Sequence, residues 1–374
     1  MAGYSLCNVR PIGLGSSLPV LDIHVDGSGH VVADPQTDAR RIDCAGAYVS
    51  PGWADLHVHV WYGGTDFSIR ADQAGLARGV TAMADAGSAG EANFHGLREY
   101  VIDRQRETIR AFLNIGSIGL VAANRVSELF GPGAIDLERT HRTIAANRDV
   151  ICGVKVRCSG AVVGPWGIEP LKMARALARG FDLPLMVHIG EAPPAVEDIL
   201  EIVEAGDLIT HCFHGKPGTA LFETPERIAL AAAAVQRGVR FDVGHGAASY
   251  SFEMAERAIA AGFTPFSIST DLHQRNVAGP VHDLATTAAK LLAIGLPLEE
   301  CMEAITNRPR SVLGLHSADP LALGARADFT IFDIAKSNYS AVDSQGRSMQ
   351  LSTRLVPVHA ALGAMLAKAQ ESQA

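Results

Sequence analysis

Short apolar runs alternate with amphipathic helical patterns from residue 50 to about residue 310. The runs end at ADLHVH, GVTAMADAG, AFLNIGS, ICGVKVR, LPLMVHIG, DLITHCF, VRFDVGHG and FSISTD, and each has the length of a buried strand. The intervening stretches, among them ADQAGLARG, PLKMARALARG and ERIALAAAAVQRG, have the spacing of helices with one apolar face. Eight strand–helix units in succession predict a closed parallel (β/α)8 TIM barrel of the α/β class, with a doubly wound open sheet as the alternative.

The two ends of the chain have a different pattern. Near the start, LDIHVDGSGHVVA alternates around a DGSG turn. Near the end, ADFTIFDI has the pattern of a strand, and SAVDSQGRSMQLSTRLVPVHAAL has that of two strands around a turn at residues 343–346. We therefore predict a small β-sandwich domain built from residues 1–50 and 320–374, and a barrel domain spanning residues 51–319.

The composition narrows the class of protein. Hydrophobic residues make up 48% of the 374 residues, which is enough for a large core. The net charge of −8 and the absence of a Lys/Arg-rich run argue against a nucleic-acid partner. No apolar stretch is long enough for a membrane span and the first residues lack a signal core, so we expect a cytoplasmic protein with no membrane partner. Its expected partner is a small-molecule substrate, and association into a homo-oligomer is left open.

Polar side chains stand where the predicted strands end. In the H-x-H sequence at residues 57–59, strand alternation places both imidazoles on one face, so both can reach one metal ion. Any one of these histidines could be a hydrogen-bonded core residue, but together they are poorly explained by chance. Because the carboxyl ends of barrel strands meet at one mouth, the following side chains should converge there. They are His57, His59, Lys155, His188, His211 and Asp271.

Lys155 lies inside the apolar run ICGVKVRCSG, although lysine is rarely buried. Burial and nearby cations both favour the neutral amine. A neutral amine can add carbon dioxide and become a carbamate, an anion whose two oxygens can bridge two metal ions. The alternative is a lysine that pairs with a carboxylate at the end of the strand.

These residues and the stretches around them resemble the amidohydrolase superfamily in its binuclear-metal branch. The resemblance lies in SPGWADLHVHV, VKV, VHIGE, THCFHG, STD, TNRPRSVLGL and GARADFTIFD, and it spans nearly the whole chain. It implies two divalent metal ions bridged by carboxylated Lys155. Zinc fits this nitrogen and oxygen set best, with manganese, iron and cobalt as alternatives. The further ligands implied are His57, His59 and Asp271 for one ion, and His188 and His211 for the other.

The resemblance also implies a reaction. A hydroxide held between the two ions attacks a carbonyl, and Asp271 takes its proton and passes it to the leaving group. In dihydroorotases an arginine two residues beyond the second histidine grips the substrate carboxylate, whereas this chain has Trp61 there. The stretches DVGHGAASYSF and STDLHQRN instead resemble a branch whose members hydrolyse acetyl esters of small 2-hydroxy acids or deacylate amino acids. We therefore predict hydrolysis of an amide or ester bond in a small acylated carboxylic acid, with a dihydroorotase-type cyclic amidase as the alternative.

Five residues are predicted to contact the substrate, each with a purely structural reading beside it. An arginine in the loop after strand eight could clamp a carboxylate, or it could be a surface residue. A histidine after strand seven could orient the carbonyl or form a structural hydrogen bond. The candidates are Arg275, Asn276, His245, Tyr62 and Arg157.

Two rival functions remain open at this point. His188-Ile189-Gly190-Glu191 resembles the H-x-G-E of purine deaminases, in which one metal suffices and the glutamate donates a proton; Lys155 has no task in such an enzyme. The acid could equally sit there because a helix N-terminus favours negative charge. The other rival is an assembly module that has lost its metal.

Overall fold

Two β-sheets divide the chain, one built from its two ends and one from its middle. The structure, a computed structural model, describes residues 2–123, 125–131 and 133–370. The strands are β1 (Tyr4–Pro11), β2 (Leu21–Val25), β3 (Val31–Val32), β4 (Arg40–Asp43), β5 (Tyr48–Pro51), β6 (Trp53–Val58), β7 (Val80–Ala86), β8 (Thr108–Asn114), β9 (Ile151–Cys158), β10 (Leu185–Ile189), β11 (Leu208–Thr210), β12 (Arg240–Asp242), β13 (Asp328–Val342), β14 (Ser348–Leu362) and β15 (Met365–Lys368).

The terminal sheet joins both ends of the chain in the order β15-β14-β13-β5-β1-β2-β3, with β4 also paired to β1. Strand β1 pairs with β2 and β4 through its first half and with β5 through its second half. Buried side chains from both halves, including Leu6, Ile23, Val49 and Phe329, form one core. A core of this kind is what a sandwich requires. The boundaries of the two domains stay a prediction.

The middle of the chain forms the barrel, which confirms the predicted fold class. Strands β6 to β12 pair in parallel with their neighbours in sequence order. Buried side chains from β6 through β11, such as Ala54, Phe112, Met186 and Leu208, meet in one cluster. Strands arranged in sequence order can bring those side chains together only if the sheet curls around them.

The predicted eighth strand closes the barrel without being a regular strand. Residues 267–272 form single bridges, one from Ser267 to Asp242 of β12 and one from Leu272 to Val58 of β6. The His59 N–H donates to the Leu272 carbonyl at 3.0 Å, and the Val243 N–H donates to the Ser267 carbonyl at 3.0 Å. The position of this segment agrees with the prediction, but the expected strand is replaced by isolated bridges.

Helices cover the outside of the barrel. A second difference from the sequence pattern lies in ADQAGLARG, which forms two short 3-10 turns, Ala71–Gln73 and Leu76–Arg78, because its glycines interrupt a regular helix. In the described ranges, none of the helices has the length and apolar character that a bilayer span needs. The helices are α1 (Phe94–Tyr100), α2 (Leu137–Ala146), α3 (Gly160–Val163), α4 (Glu169–Arg179), α5 (Val196–Ile202), α6 (Pro225–Gln236), α7 (Phe252–Ala260), α8 (Leu284–Ala293), α9 (Leu298–Ile305) and α10 (Asn307–Val312).

The β13–β14 hairpin connects the terminal sheet to the end of the barrel at which its strands terminate. Its turn falls at residues 343–346 as predicted, although ADFTIFDI is only the first half of a single 15-residue strand. The Phe252 N–H donates to the Asp343 carboxylate at 3.0 Å, and the Gln345 amide donates to the Gly215 carbonyl at 2.9 Å. The turn therefore rests on the loops that follow β11 and β12.

A buried ion pair joins the barrel to the terminal sheet. Arg310 of α10 donates to the Asp328 carboxylate at 2.5 Å, and Thr81 of β7 donates to the same carboxylate at 2.6 Å. We expect Arg310→Met to lower the free energy of unfolding by about 3 kcal/mol, because it leaves a largely buried carboxylate without its cation. Urea denaturation measures this loss. The exposed pair of Arg142 and Glu138 gives the control, since Arg142→Met should change stability little. Equal effects of the two substitutions would contradict this role for Arg310.

Candidate metal centre

All six predicted metal ligands line one cavity at the carboxyl ends of the barrel strands. Asp271 Oδ1 lies 3.4 Å from His57 Nε2 and 3.1 Å from His59 Nε2. One ligand atom from each of His57, His211 and Asp271 lies within 4.8 Å of the other two. The rings of His188 and His211 are 4.3 Å apart between centroids. The structure thus brings the predicted set together, and the role of its members as ligands stays a prediction.

A chain of hydrogen bonds fixes which nitrogen of His57 faces the cavity. Thr210 donates its hydroxyl proton to the Asp242 carboxylate at 2.7 Å, so its oxygen is left to accept from His57 Nδ1 at 2.9 Å. His57 Nδ1 therefore carries the proton, and Nε2 presents a lone pair to the cavity. Ser267 and Ser269 also donate to Asp242, which satisfies this fully buried carboxylate.

His211 is fixed in the same way by a backbone carbonyl. Its Nδ1 lies 2.6 Å from the Gly244 carbonyl oxygen, which can only accept, so Nε2 again keeps the lone pair. A Cβ at position 244 would lie 2.3 Å from Thr210 Oγ1 and 2.9 Å from His211 Nδ1. Only glycine permits this approach. His211 and Asp271 have φ values of 70° and 50°, an uncommon conformation for these residue types that turns their side chains away from the path of the strand.

The donor atoms of this cluster suit a divalent metal ion. With Nδ1 of His57 protonated, the lone pair of Nε2 lies 3.4 Å from the Asp271 carboxylate and 3.3 Å from Lys155 Nζ, so a divalent cation beside these atoms would find both an imidazole and a carboxylate ligand. Burial, together with Lys155, holds the pKa of His57 well below its usual range, and burial lowers the pKa of His211 to about 3. Neutral imidazoles and a carboxylate are ligands that zinc and similar ions prefer.

Lys155 lies beside the imidazoles and has no carboxylate partner among the described residues. Its Nζ is 3.3 Å from His57 Nε2 and 3.3 Å from Met186 Sδ, and the residue is 1% exposed. Burial lowers the pKa of Lys155 to about 7. Much of the amine is therefore uncharged at neutral pH, which is the form that reacts with carbon dioxide. The alternative of a lysine in an ion pair has no support here.

The cavity has a volume of about 200 Å³ and two kinds of wall. The metal-ligand candidates and two arginines form the polar side, while the apolar side includes Phe67, Leu120 and Ala123. The lining also includes Ala247, Ala248 and Ser249, from the loop after β12. A cavity of this size suits a small molecule with one apolar and one charged end.

Two of the five predicted substrate contacts line the cavity. Arg275 is exposed at its mouth, and no described carboxylate pairs with it. Arg157 also lines the cavity, but its guanidinium makes two hydrogen bonds to Glu128, at 2.7 and 2.8 Å, and Glu128 is buried. Arg275 is thus the arginine with free donors.

The other three predicted contacts lie outside the cavity lining. Asn276 uses its side chain to hold its own loop, donating to the Asp271 carbonyl and accepting from the His273 N–H, each at 2.8 Å. His245 is fully buried between the Gly246 carbonyl and Lys290. Tyr62 is 53% exposed and stacks under Arg70. Their part in substrate binding stays a prediction that these positions do not favour.

Several residues of the site were not predicted. Ser88 hydrogen-bonds His59 Nδ1 at 2.9 Å, and Thr210 and Asp242 fix His57. His273 lines the cavity between Asp271 and Arg275. The stretch STDLHQRN contains His273, and its place two residues after a predicted ligand was the available signal. The serine and threonine contacts depend on the closed barrel and have no local signal.

Glu191 is poorly placed to donate a proton in the cavity. It does not belong to the lining, its side chain is 57% exposed, and its carboxylate pairs with Lys216 at 2.9 Å. Burial raises its pKa, but the hydrogen bond and charge of Lys216, a backbone hydrogen bond and His214 together outweigh burial and lower the pKa below its usual value. Glu191 is therefore ionised at neutral pH, which disfavours the deaminase interpretation.

Comparison with known proteins identifies the family. The model of the amidohydrolase family matches residues 48–356. The chain belongs to the amidohydrolase family. It is accordingly a hydrolase, and members of this family generally use divalent metal ions. An assembly module without catalytic activity is therefore the wrong interpretation.

The relatives differ in the activities that their names state. A protein of Agrobacterium fabrum named deacetylase is 48% identical over 366 residues, which cover 96% of this chain and 90% of the relative. A solved structure described as a dihydroorotase is 47% identical, with a TM-score of 0.96 and coverage of 100% of this chain and 99% of its own. Another, described as an adenine deaminase, is 31% identical, with a TM-score of 0.90 and coverage of 98% and 100%. These relatives support amide hydrolysis and leave the substrate open.

The Thr210 hydroxyl gives a test of the metal centre. We expect Thr210→Val to weaken metal binding about 10- to 100-fold, because it removes the acceptor that fixes the His57 tautomer. Metal retention during titration with a chelator measures the change. Thr140→Val is the matched control, since the hydroxyl of buried Thr140 bonds only within α2. If the two variants retain metal equally well, the inferred role of Thr210 is wrong.

Proposed function

We propose that this enzyme hydrolyses the amide or ester bond of a small acylated carboxylic acid, such as an N-acyl amino acid or an acetylated 2-hydroxy acid. The observation that carries the proposal is the small cavity, whose lining combines a metal-ligand cluster, apolar side chains and an arginine with free donors. The deacetylase name of a relative at 48% identity supports the same reaction type.

Two divalent ions, zinc by preference, would occupy the cluster. Lys155 would be shared by both ions as a carbamate. When bound, such ions lower the pKa of water and polarise a carbonyl. The ligands would be His57, His59 and Asp271 on one side and His188 and His211 on the other.

The chain's own groups divide the remaining work. Asp271 is an acceptor at the centre of the cluster, placed to take a proton from the attacking water and return it to the leaving oxygen or nitrogen. Thr210 and the Gly244 carbonyl hold the imidazoles of His57 and His211 in the tautomers that leave Nε2 free. The apolar side of the cavity, at Phe67 and Leu120, would receive the acyl methyl group.

A cyclic amidase of the dihydroorotase type is the second candidate. The structure described as a dihydroorotase, at 47% identity, is the observation in its favour. Trp61 speaks against it, because Trp61 does not line the cavity and cannot supply the carboxylate grip of an arginine. Assay of dihydroorotate beside the acylated acids separates the two.

Metal content and activity of Lys155→Ala test the proposal. We expect wild type to bind two metal ions per chain and to turn over an acylated acid. The variant should lose the second ion and about 10³-fold in kcat/KM, because it lacks the bridging anion. Lys172→Ala, in an exposed ion pair on α4, is the control and should behave as wild type.

A panel of candidate substrates shows which results would contradict the proposal. The panel contains both enantiomers of N-acetyl amino acids, acetylated 2-hydroxy acids, dihydroorotate and adenine. One ion per chain, an unaffected Lys155→Ala variant and ammonia released from adenine would overturn it in favour of deamination. Turnover of dihydroorotate alone would favour the cyclic amidase.

Arg275→Met tests the charged end of the substrate. We expect KM for an acylated acid to rise about tenfold with little change in kcat, because a charge-assisted hydrogen bond to the carboxylate is lost. The corresponding neutral carboxamide substrate should show no such change. An equal rise in KM for both substrates would argue against a carboxylate contact.

A further inference from the structure

His273 is a cavity residue whose contacts leave one nitrogen free. It is 7% exposed, it lines the cavity, and its ring lies 5.1 Å from that of Phe67 and 6.5 Å from that of His59 between centroids. The Arg275 N–H donates to His273 Nδ1 at 3.2 Å. A ring nitrogen that accepts a backbone proton carries none of its own, so the neutral ring has its proton on Nε2.

The free N–H of His273 has no acceptor within the described residues. No described side chain or carbonyl accepts from Nε2, and Nε2 is not among the buried atoms that lack a partner. A polar group that is neither paired nor sealed off faces the space of the cavity, where water or a ligand can accept from it. Arg275, two residues further on, brings its guanidinium to the same mouth.

The position of this donor fits the carboxylate of the proposed substrate. In an acylated 2-hydroxy acid the carboxylate is three bonds from the carbonyl carbon that is attacked. A carbonyl at the metal-ligand cluster therefore leaves the carboxylate about one side chain away, and the His273 ring lies 6.5 Å from the His59 ring between centroids. We propose that His273 donates its Nε2–H to the substrate carboxylate and, with Arg275, selects acids over neutral acyl compounds.

This inference rests on the proposed function and names two donors, His273 and Arg275, for the carboxylate of the proposed substrate. The competing explanation is structural, because His273 Nδ1 also holds the backbone of the Asp271–Asn276 loop. The two roles use different nitrogens of the same ring. The two roles can be separated by substitutions that preserve either the acceptor at the position of Nδ1 or the donor at the position of Nε2, but not both.

His273→Asn and His273→Gln form a matched pair for this purpose. Asn places an amide oxygen near the position of Nδ1, where it can accept the Arg275 N–H, but it is too short to donate into the cavity. Gln places an amide N–H near the position of Nε2 and gives up the acceptor for the loop. Both variants should keep the wild-type metal content, which is measured first.

The expected result is a loss confined to one variant and one substrate. For acetylated lactate, kcat/KM of His273→Asn should fall about 10- to 100-fold, while His273→Gln stays within about threefold of wild type. For the carboxamide of the same compound, both variants should stay within about threefold of wild type. Activity retained in Asn and lost in Gln, or equal losses on both substrates, would overturn the inference in favour of a structural role.

Binding of lactate itself separates failure of this inference from failure of the proposed function. If wild type binds lactate but hydrolyses none of the acylated acids, the proposed function falls, and the same Asn and Gln comparison is made on lactate affinity. If lactate affinity is equal in both variants, His273 does not bind the carboxylate. A wild type that neither binds lactate nor hydrolyses any of the acylated acids overturns both proposals.

Discussion

Imidazole nitrogens and a carboxylate face one another at the mouth of this barrel, an arrangement that a divalent cation would stabilise. His57 Nε2 and Asp271 Oδ1 are 3.4 Å apart. The Thr210 hydroxyl oxygen keeps the single ring proton of neutral His57 on Nδ1, so no proton lies between Nε2 and the carboxylate. The hydrogen bonds of His57 to Thr210 and of His211 to the Gly244 carbonyl maintain this arrangement of the imidazoles.

The segment that closes the barrel, residues 267–272, also serves the metal-ligand cluster through its hydrogen bonds. The eighth segment is rich in serine and threonine where an apolar strand would be expected. Ser267 and Ser269 donate to Asp242, and Thr270 donates to Asp55 at 2.6 Å. These side chains satisfy the carboxylates that lie beneath the metal-ligand cluster. The segment forms isolated bridges in place of a regular strand. Its serines hydrogen-bond Asp242, which accepts from Thr210, the partner of His57, and the segment contains Asp271.

The sequence was informative where chemistry and strand position coincide. His57, His59, His188 and His211 follow apolar runs, so a barrel with converging strand ends could be inferred before any coordinates. Asn276, Tyr62 and His245 show the limit of this reasoning, because closeness in sequence to a site does not determine whether a side chain lines the cavity. The roles of Thr210 and Asp242 could not be predicted, because they depend on hydrogen bonds to residues of distant strands. The seating of the β13–β14 turn over the loops after β11 and β12 is a tertiary contact of the same kind.

We propose that two metal ions share Lys155, and the most direct measurement is an anomalous-difference map from crystals of the metal-loaded enzyme grown with bicarbonate. Two peaks are expected at the mouth of the barrel, with density for a carbamate extending from Lys155 Nζ to both. A single peak among His57, His211 and Asp271, beside an unmodified lysine, would contradict it and leave a centre with one metal ion.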